Sequence, residues 1–204
     1  MAKKDYTRPD HYTRKAKKAG YSARSVFKLE EIDSKEGLLR PGIRVLDLGA
    51  SPGSWMKFCS EKVGKKGTVV GVDIKPLDRD TRENERFMLV DVDELSPEDA
   101  LGGLSRFDLV ISDMMPNTIG HKASDHLRSM NLAERALYIS DETLRPGGAF
   151  LVKVFQGSEF DSFRNMLRDR FDKVKIKKPK SSRQTSREIY FLGLGKKRHE
   201  QGEE

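Results

Sequence analysis

Short apolar runs alternate with amphipathic stretches along most of this 204-residue chain. The apolar runs are rich in valine, isoleucine, leucine and phenylalanine, a composition typical of strands that are buried on both faces of a sheet. The pattern predicts seven strands: IRVLDLG (43–49), GTVVGVDI (67–74), RFMLVDV (86–92), FDLVISD (107–113), AFLVKVF (149–155), KVKIKK (173–178) and REIYFLGLG (187–195).

The stretches between the strands place apolar residues at helical spacing. Four predicted helices cover YSARSVFKLEEIDSKEG (21–37), SWMKFCSEKV (54–63), DHLRSMNLAERALYISDETL (125–144) and SEFDSFRNMLRDRF (158–171). Ser22 and Gly37 are the predicted N-cap and end of the first helix, and the turn RPGG is predicted to end the third. This alternation indicates an α/β fold with a doubly wound, mostly parallel sheet. The last two strands are predicted to pair antiparallel, because the loop between them is short.

Composition divides the chain into three predicted regions: a basic, mobile N-terminal arm (1–20), a single domain (21–195) and a charged tail (196–204). No run approaches the roughly 20 apolar residues that cross a bilayer, so we expect no membrane segment. The N-terminus lacks the apolar core of a secretory signal. Cys59 is the only cysteine, which excludes disulfides within the chain and favours a reducing, cytoplasmic location.

The net charge of +7 is concentrated in two clusters. Residues 1–28 carry nine lysines and arginines against Asp5 and Asp10, and a second cluster spans Lys173–Arg187. Basic clusters interleaved with tyrosines suggest a polyanionic partner, most simply a nucleic acid. On charge alone, a solvated and solubilising surface is an equally good interpretation.

The stretch VLDLGASPGSW (45–55) forms a glycine-containing loop between the first strand and a helix. In open α/β sheets, ligands bind at the carboxyl ends of the strands, near the point where strand order reverses. A dinucleotide site uses G-x-G-x-x-G, whereas here only Gly49 and Gly53 are present and Pro52 lacks a backbone donor. The loop therefore favours a ligand with an adenosine but no phosphates, for which S-adenosylmethionine is the common choice.

Two acidic residues at the ends of the next strands support a nucleoside ligand. Asp73 lies about 20 residues beyond the glycines, where a carboxylate accepts hydrogen bonds from ribose hydroxyls. Asp91 ends the third strand and could accept a hydrogen bond from an adenine amino group. The alternative is a tight strand–helix turn with surface carboxylates.

Three more polar residues stand at strand ends where this fold builds active sites: Asp113, Lys153 and Glu188. Lys153 lies in an otherwise apolar strand, so it is either paired in the interior or extends to solvent. A desolvated lysine near a second cation can lose its proton and act as a base toward a hydroxyl acceptor. Lys28 is the candidate for that second cation, although its spacing alone favours an ordinary exposed helix lysine.

Five motifs in order, ARSVFKLEEI, VLDLGASPGSW, DLVISDMMPN, LVKVFQG and SREIYFLG, resemble the FtsJ/RrmJ ribosomal RNA 2′-O-ribose methyltransferases. The resemblance implies a Rossmann-like, S-adenosylmethionine-dependent methyltransferase fold with one antiparallel strand. It implies a catalytic tetrad of Lys28, Asp113, Lys153 and Glu188, with Lys153 as the base. It also implies cofactor contacts from Gly53, Trp55, Asp73, Asp91 and Asp113. We expect no metal, because the four histidines are scattered and no carboxylate or cysteine spacing suggests a metal site.

The same resemblance implies methylation of a uridine in large-subunit ribosomal RNA. The positions of the basic clusters predict RNA docking through the basic arm and the stretch Lys173–Arg187, and we expect a monomer. A transfer RNA anticodon-loop methyltransferase and, more distantly, a messenger RNA cap enzyme stay open, because RNA choice depends on the basic surface. A non-catalytic RNA-binding assembly factor is a third alternative. A nicotinamide-dependent oxidoreductase is disfavoured by the missing glycine of G-x-G-x-x-G.

Overall fold

The computed structural model describes residues 10–116, 118, 120–182 and 186–198. The first nine residues, the end of the predicted tail from His199 and Arg183 of the second basic cluster lie outside these ranges. The helices are α1 (His11–Lys18), α2 (Val26–Glu36), α3 (Ser54–Val63), α4 (Pro97–Leu101), α5 (Lys122–Thr143) and α6 (Phe160–Arg170). The strands are β1 (Arg44–Leu48), β2 (Thr68–Asp73), β3 (Glu85–Leu89), β4 (Phe107–Ser112), β5 (Leu144–Phe155), β6 (Phe171–Lys177) and β7 (Glu188–Lys196).

The seven strands form one sheet in the order β3-β2-β1-β4-β5-β7-β6. Strand β7 runs antiparallel to both of its neighbours, and the other pairs are parallel. The seven-stranded, mostly parallel α/β fold with one antiparallel strand is thereby confirmed. The strand order reverses between β1 and β4, so their carboxyl ends mark the crevice where ligands bind in such sheets.

Helices cover both faces of the sheet. Along β1, Val45 packs with α1–α3, whereas Leu46 and Leu48 pack with α4–α6 on the opposite face. This alternation follows from the period of two in a strand. Both faces of the central strands are therefore covered by apolar contacts, as their near-continuous apolar sequences predict.

Helix α1 lies in the region that was predicted to be a mobile arm, and that prediction is wrong for residues 11–18. Asp10 caps the helix by accepting a hydrogen bond from the Thr13 backbone nitrogen at 2.8 Å. Ala16 is 1% exposed in the core beneath α1, and the rings of Tyr12 and Phe27 lie 5.7 Å apart. The helix was missed because so few of its residues are apolar.

Other boundaries also differ from the predictions. Helix α2 begins at Val26, so Ser22 is not its N-cap, but Gly37 ends it in the left-handed conformation as predicted. Helix α4 was not predicted, and the RPGG segment is part of β5 rather than a turn. A register shift against β4 near Phe107 accommodates that segment. Among the described residues, no helix is both long enough and apolar enough to cross a membrane.

The contact of α1 with the core can be tested at its buried alanine. Ala16→Gln places a longer side chain in a closed contact, so we expect the free energy of unfolding to fall by about 1–3 kcal/mol. Hydrogen exchange of the α1 amides should become faster at the same time. The same change at exposed Ala19 provides the control and should have little effect. Equal stability of the two variants would contradict the docked position of α1.

Candidate active site

A cavity of about 790 Å³ opens at the carboxyl edge of the sheet, where the strand order reverses. Its walls come from the ends of β1–β5, the start of β7 and the helices α2 and α5. All four residues of the predicted tetrad line it: Lys28, Asp113, Lys153 and Glu188. The cavity also includes both predicted nucleoside-binding carboxylates, Asp73 and Asp91.

Lys28 and Glu188 form a nearly buried ion pair in which Lys28 Nζ lies 2.7 Å from Glu188 Oε2. Lys28 is 9% exposed on α2, so it is not the ordinary exposed lysine that its spacing favoured. Glu188 reaches the cavity because β7 is antiparallel: its first residue pairs with Phe155, at the end of β5. The pair joins the helix layer to the edge of the sheet.

Lys153 and Asp113 form the second pair. Lys153 Nζ donates to the Asp113 backbone carbonyl at 2.6 Å and lies 3.2 Å from Asp113 Oδ1. Lys153 is 5% exposed, so it does not extend to solvent. Burying an ammonium group is costly unless it is paired and hydrogen-bonded, and these contacts meet that requirement.

Tyr190 belongs to the same cluster although the sequence did not single it out. It lies opposite Lys153 in the β5–β7 ladder, and its hydroxyl donates to Asp113 Oδ1 at 2.7 Å. Its ring stacks on Trp55 with centroids 5.9 Å apart, and Lys28 Nζ lies 5.9 Å from its ring centroid. A tyrosine in an apolar strand, two residues after Glu188 and therefore on the same face, is the signal that could have identified it.

The charges of the cluster determine its protonation. Burial alone would raise the pKa of Glu188, but the ammonium groups of Lys28 and Lys153 and hydrogen bonds from Lys28 and Ser186 lower it below the usual range. Burial, followed by the carboxylate of Asp113, raises the pKa of Tyr190 well above its usual value. Glu188 is therefore a carboxylate, and Tyr190 is a neutral donor to Asp113.

The glycine loop after β1 packs against other loops of the protein. A Cβ on Gly49 would lie 2.7 Å from Met114 Cγ, and Gly49 has a φ of +85°. A Cβ on Gly53, with a φ of +105°, would lie 3.3 Å from Arg79 Nε and 3.4 Å from Leu77 Cδ2. Both glycines make room for neighbouring segments of the chain, and Gly49 also lines the cavity. The close ligand approach that the sequence suggested stays a prediction.

Trp55 lies behind the cavity wall rather than in it. The side chain is 3% exposed, and its indole nitrogen donates to the Ser25 carbonyl at 2.9 Å, just before α2. Trp55 thereby connects α3 to the helix that carries Lys28. Neither Trp55 nor Gly53 is among the residues that line the cavity, and their assignment to the cofactor stays a prediction.

Asp73 and Asp91 stand at adjacent strand ends on the far side of the cavity. Asp73 accepts hydrogen bonds from the backbone nitrogens of Ser51 and Lys75, each at 2.9 Å. Asp91 accepts one from the backbone nitrogen of Asp93 at 3.0 Å. A carboxylate has about four lone-pair positions, so both groups keep acceptor capacity toward the cavity.

Comparison with known proteins identifies the kind of protein that this cavity belongs to. The FtsJ-like methyltransferase family matches residues 21–196, which is most of the chain. This chain belongs to that family. It is therefore a methyltransferase, as the resemblance of its five motifs implied.

Two bacterial FtsJ-like proteins match over most of their length. Ribosomal RNA large subunit methyltransferase E from Desulfatibacillum aliphaticivorans is 50% identical over 190 residues, covering 92% of this chain and 91% of that protein. The protein of the same name from Bdellovibrio bacteriovorus is 45% identical over 195 residues, covering 94% and 99% of the two chains.

Solved structures agree with the fold. A structure described as a ribosomal RNA methyltransferase from Plasmodium falciparum has a TM-score of 0.76 and 28% identity, covering 86% of this chain and 98% of that one. Human methyltransferase-like protein 13, in complex with SAH, has a TM-score of 0.56 at 16% identity, covering 86% and 81%. The second likeness concerns the fold alone.

Within the described residues, we find no group of three or more histidine, cysteine, aspartate or glutamate side chains that could hold a metal ion.

Asp47 of β1 is a buried carboxylate that was not among the predicted site residues. It is 0% exposed, and neither carboxylate oxygen has a hydrogen-bond partner among the described residues. Burial raises the pKa of Asp47 well above its usual range, and the carboxylates of Asp113 and Asp73 add to the shift. An acidic residue inside the apolar run VLDLG is the signal that could have identified it.

The raised pKa of Asp47 predicts how stability depends on pH. The unfolded chain releases this proton near pH 4, whereas the folded chain keeps it, so the contribution of Asp47 to folding stability falls as pH rises above about 4. Asp47→Asn lacks this titration. We therefore expect its unfolding free energy to rise relative to the wild type between pH 4 and 7, by at most about 1.4 kcal/mol per pH unit.

Urea unfolding of both proteins across this pH range measures the difference. Asp161→Asn, which removes an exposed carboxylate from α6, is the matched control. An offset for Asp47→Asn that stays constant across this pH range would contradict the raised pKa.

Proposed function

We propose that this protein transfers a methyl group from S-adenosylmethionine to a ribose 2′-hydroxyl of large-subunit ribosomal RNA, at a uridine. The observation that carries the proposal is the pair of nearly buried lysines, each matched by a carboxylate, at one end of the cavity. The names of the similar bacterial proteins support ribosomal RNA as the substrate. The uridine rests on the resemblance of the motifs.

The residues of the cavity fit S-adenosylmethionine. Carboxylates at Asp73 and Asp91 suit a ribose diol and an adenine amino group, while Val72, Val90 and Leu132 supply apolar walls for the base. The likeness of the fold to a methyltransferase in complex with SAH supports the same cofactor. When bound, S-adenosylmethionine would supply a methyl group that its sulfonium already activates toward nucleophiles.

Lys153 is the proposed base. To act as the base, Lys153 first has to release its ammonium proton to solvent. With the methyl donor bound, the 2′-oxygen would then take the methyl carbon as the sulfur leaves with the electron pair of the broken bond, and the hydroxyl proton would pass to the neutral amine of Lys153. The ammonium formed in this way has two acceptors already in position, the carbonyl oxygen and Oδ1 of Asp113. These contacts hold Nζ in a fixed position and stabilise the protonated form that the transfer restores.

Lys28 and Glu188 have a positioning and electrostatic role in this proposal. The Lys28 ammonium is fixed by Glu188 Oε2 at 2.7 Å and lies on the cavity wall. In this position it would face the negative charge that develops on the attacking oxygen. A preorganised cation stabilises such charge without reorganising during the reaction. Tyr190 fixes Asp113 from the other side through its hydroxyl hydrogen bond.

The RNA surface is proposed to include the exposed side of α1. Arg14, Lys17 and Lys18 share one face of this helix at spacings of three and four residues, opposite buried Ala16. We call these three residues the basic face of α1. In the second cluster, both Lys175 and Lys177 are paired with Glu36, which partly neutralises them.

Replacing the proposed base tests the mechanism. Lys153→Met keeps the aliphatic stem but removes the amine, and we expect kcat for methyl transfer to fall by about 100- to 10,000-fold. Binding of S-adenosylmethionine should be nearly unchanged, because Lys153 stands at the other end of the cavity from Asp73 and Asp91. Lys62→Met, at an exposed lysine of α3, is the matched control.

The assay follows labelled methyl from S-adenosylmethionine into large ribosomal subunits, with transfer RNA in parallel and the modified nucleotide identified by mass. Undiminished transfer by Lys153→Met would reject Lys153 as the base. Label in transfer RNA alone would keep the chemistry and replace the substrate. A label at a base atom rather than a ribose oxygen would reject the proposed acceptor.

The basic face of α1 gives a separate prediction about affinity. Lys17→Ala with Lys18→Ala should weaken RNA binding and reduce the slope of log K against log salt by roughly one to two, since phosphate contacts release counterions. The matched control is Lys65→Ala with Lys66→Ala. These two exposed lysines lie before β2, at the amino edge of the sheet and therefore away from the cavity. Equal effects of the two double variants would indicate that net charge, rather than this face, determines binding.

A further inference from the structure

The segment that follows β3 forms the wall of the cavity on the side of the proposed adenine site. Val90, Asp91, Val92 and Asp93 all line the cavity. The segment turns back on itself, because the backbone nitrogens of Glu94 and Leu95 both donate to the Asp91 carbonyl. The position of the Asp91 carboxylate therefore depends on what holds this short turn.

A single arginine from α5 binds three carbonyl groups of that segment. Arg135 Nε donates to the Val92 carbonyl at 2.8 Å, while Nη2 donates to the carbonyls of Asp93 at 3.2 Å and Leu95 at 2.7 Å. The guanidinium group also lies 5.1 Å from the ring centroid of Tyr138, one turn further along α5. The planar fork of arginine suits this arrangement, since its donors point in fixed directions.

We propose that Arg135 is a positioning residue for the cofactor: it holds the turn after β3 so that Asp91 faces the adenine amino group. The inference rests on the proposed binding of S-adenosylmethionine in this cavity. Arg135 is not among the residues that line the cavity, so it acts through the backbone of Val92, Asp93 and Leu95 rather than by contact. The proposal concerns affinity and choice of base, and it leaves the chemical step to the lysine cluster.

The contacts of Arg135 also define which replacement should preserve function in part. Lysine keeps the charge but has one nitrogen on a flexible stem, so it cannot reproduce a fork that reaches three carbonyls. Methionine keeps only an apolar stem and leaves those carbonyls without this donor. Affinity for the cofactor should therefore decrease in the order wild type, Arg135→Lys, Arg135→Met.

Calorimetric titration of the 204-residue protein with S-adenosylmethionine tests the order. We expect Kd to rise about tenfold in Arg135→Met, roughly the effect of one hydrogen bond to a charged group, and less in Arg135→Lys. At saturating cofactor, kcat should stay near the wild-type value. The split between Kd and kcat separates positioning of the cofactor from damage to the catalytic cluster.

Arg106→Met is the matched structural control. Arg106 also donates to backbone carbonyls, those of Glu142 and Leu144, but it does so at the amino edge of β4, away from the cavity. Its loss should lower thermal stability without changing Kd. Equal rises of Kd in Arg135→Met and Arg106→Met would overturn the proposal, because they would reflect general destabilisation. An unchanged Kd in Arg135→Met would overturn it as well.

A double-mutant cycle with Asp91→Asn tests whether Arg135 acts through Asp91. If it does, Arg135→Met should add little to the loss already caused by Asp91→Asn, whereas full additivity of the two effects would reject the coupling. S-inosylhomocysteine, whose base lacks the amino group, gives a second readout. The wild type should prefer S-adenosylhomocysteine, and Arg135→Met should reduce that preference, while an unchanged preference would count against the proposal.

The experiments distinguish failure of the proposed function from failure of the proposed role of Arg135. A wild-type protein that does not bind S-adenosylmethionine at all would reject the proposed cofactor, and the role of Arg135 with it. A wild-type protein that binds and transfers methyl, with Arg135→Met indistinguishable from it in Kd and in base preference, would reject only the role of Arg135.

Discussion

Two ammonium groups are withdrawn from water at the carboxyl edge of the sheet, and the site depends on the carboxylates that pair with them. A buried charge without a partner is strongly destabilising. The antiparallel direction of β7 meets this requirement for Lys28, because it brings Glu188 beside the end of β5, where it pairs with Lys28. In a parallel β7, the first residue would lie at the other edge of the sheet. The topology of one strand thus decides whether the proposed catalytic cluster can form.

Two aromatic side chains, Tyr190 and Trp55, pack beside the charged residues of that cluster and hold them in place. Tyr190 fixes Asp113 by a hydrogen bond and stacks on Trp55, while Trp55 fixes the start of α2, and α2 carries Lys28. The two lysines are therefore connected through a packed aromatic pair, without a direct contact between them. Such a connection keeps like charges apart while each remains beside its own carboxylate.

Sequence patterns determine most of this fold, because strands buried on both faces read as continuous apolar runs and each of the seven was predicted. Lys153 was identifiable because a lysine in such a run needs a partner. The pairing of Lys28 with Glu188 could not be predicted from the spacing of Lys28 on its helix, because only the tertiary structure places Glu188 beside α2. Helix α1 has few apolar residues and many basic ones, so its sequence was interpreted as a charged arm. The contacts of Gly49 involve Met114 of another loop, which no local pattern encodes.

Strand β6 lies at one edge of the sheet, where its outer backbone groups could template pairing with another chain. Lysines at alternate positions, Lys173, Lys175 and Lys177, occupy the strand, and two of them share the single carboxylate of Glu36. An incoming strand would have to desolvate this surplus of positive charge. The lysines therefore protect the protein against self-association by sheet extension, and removing them to study RNA binding would also remove that protection.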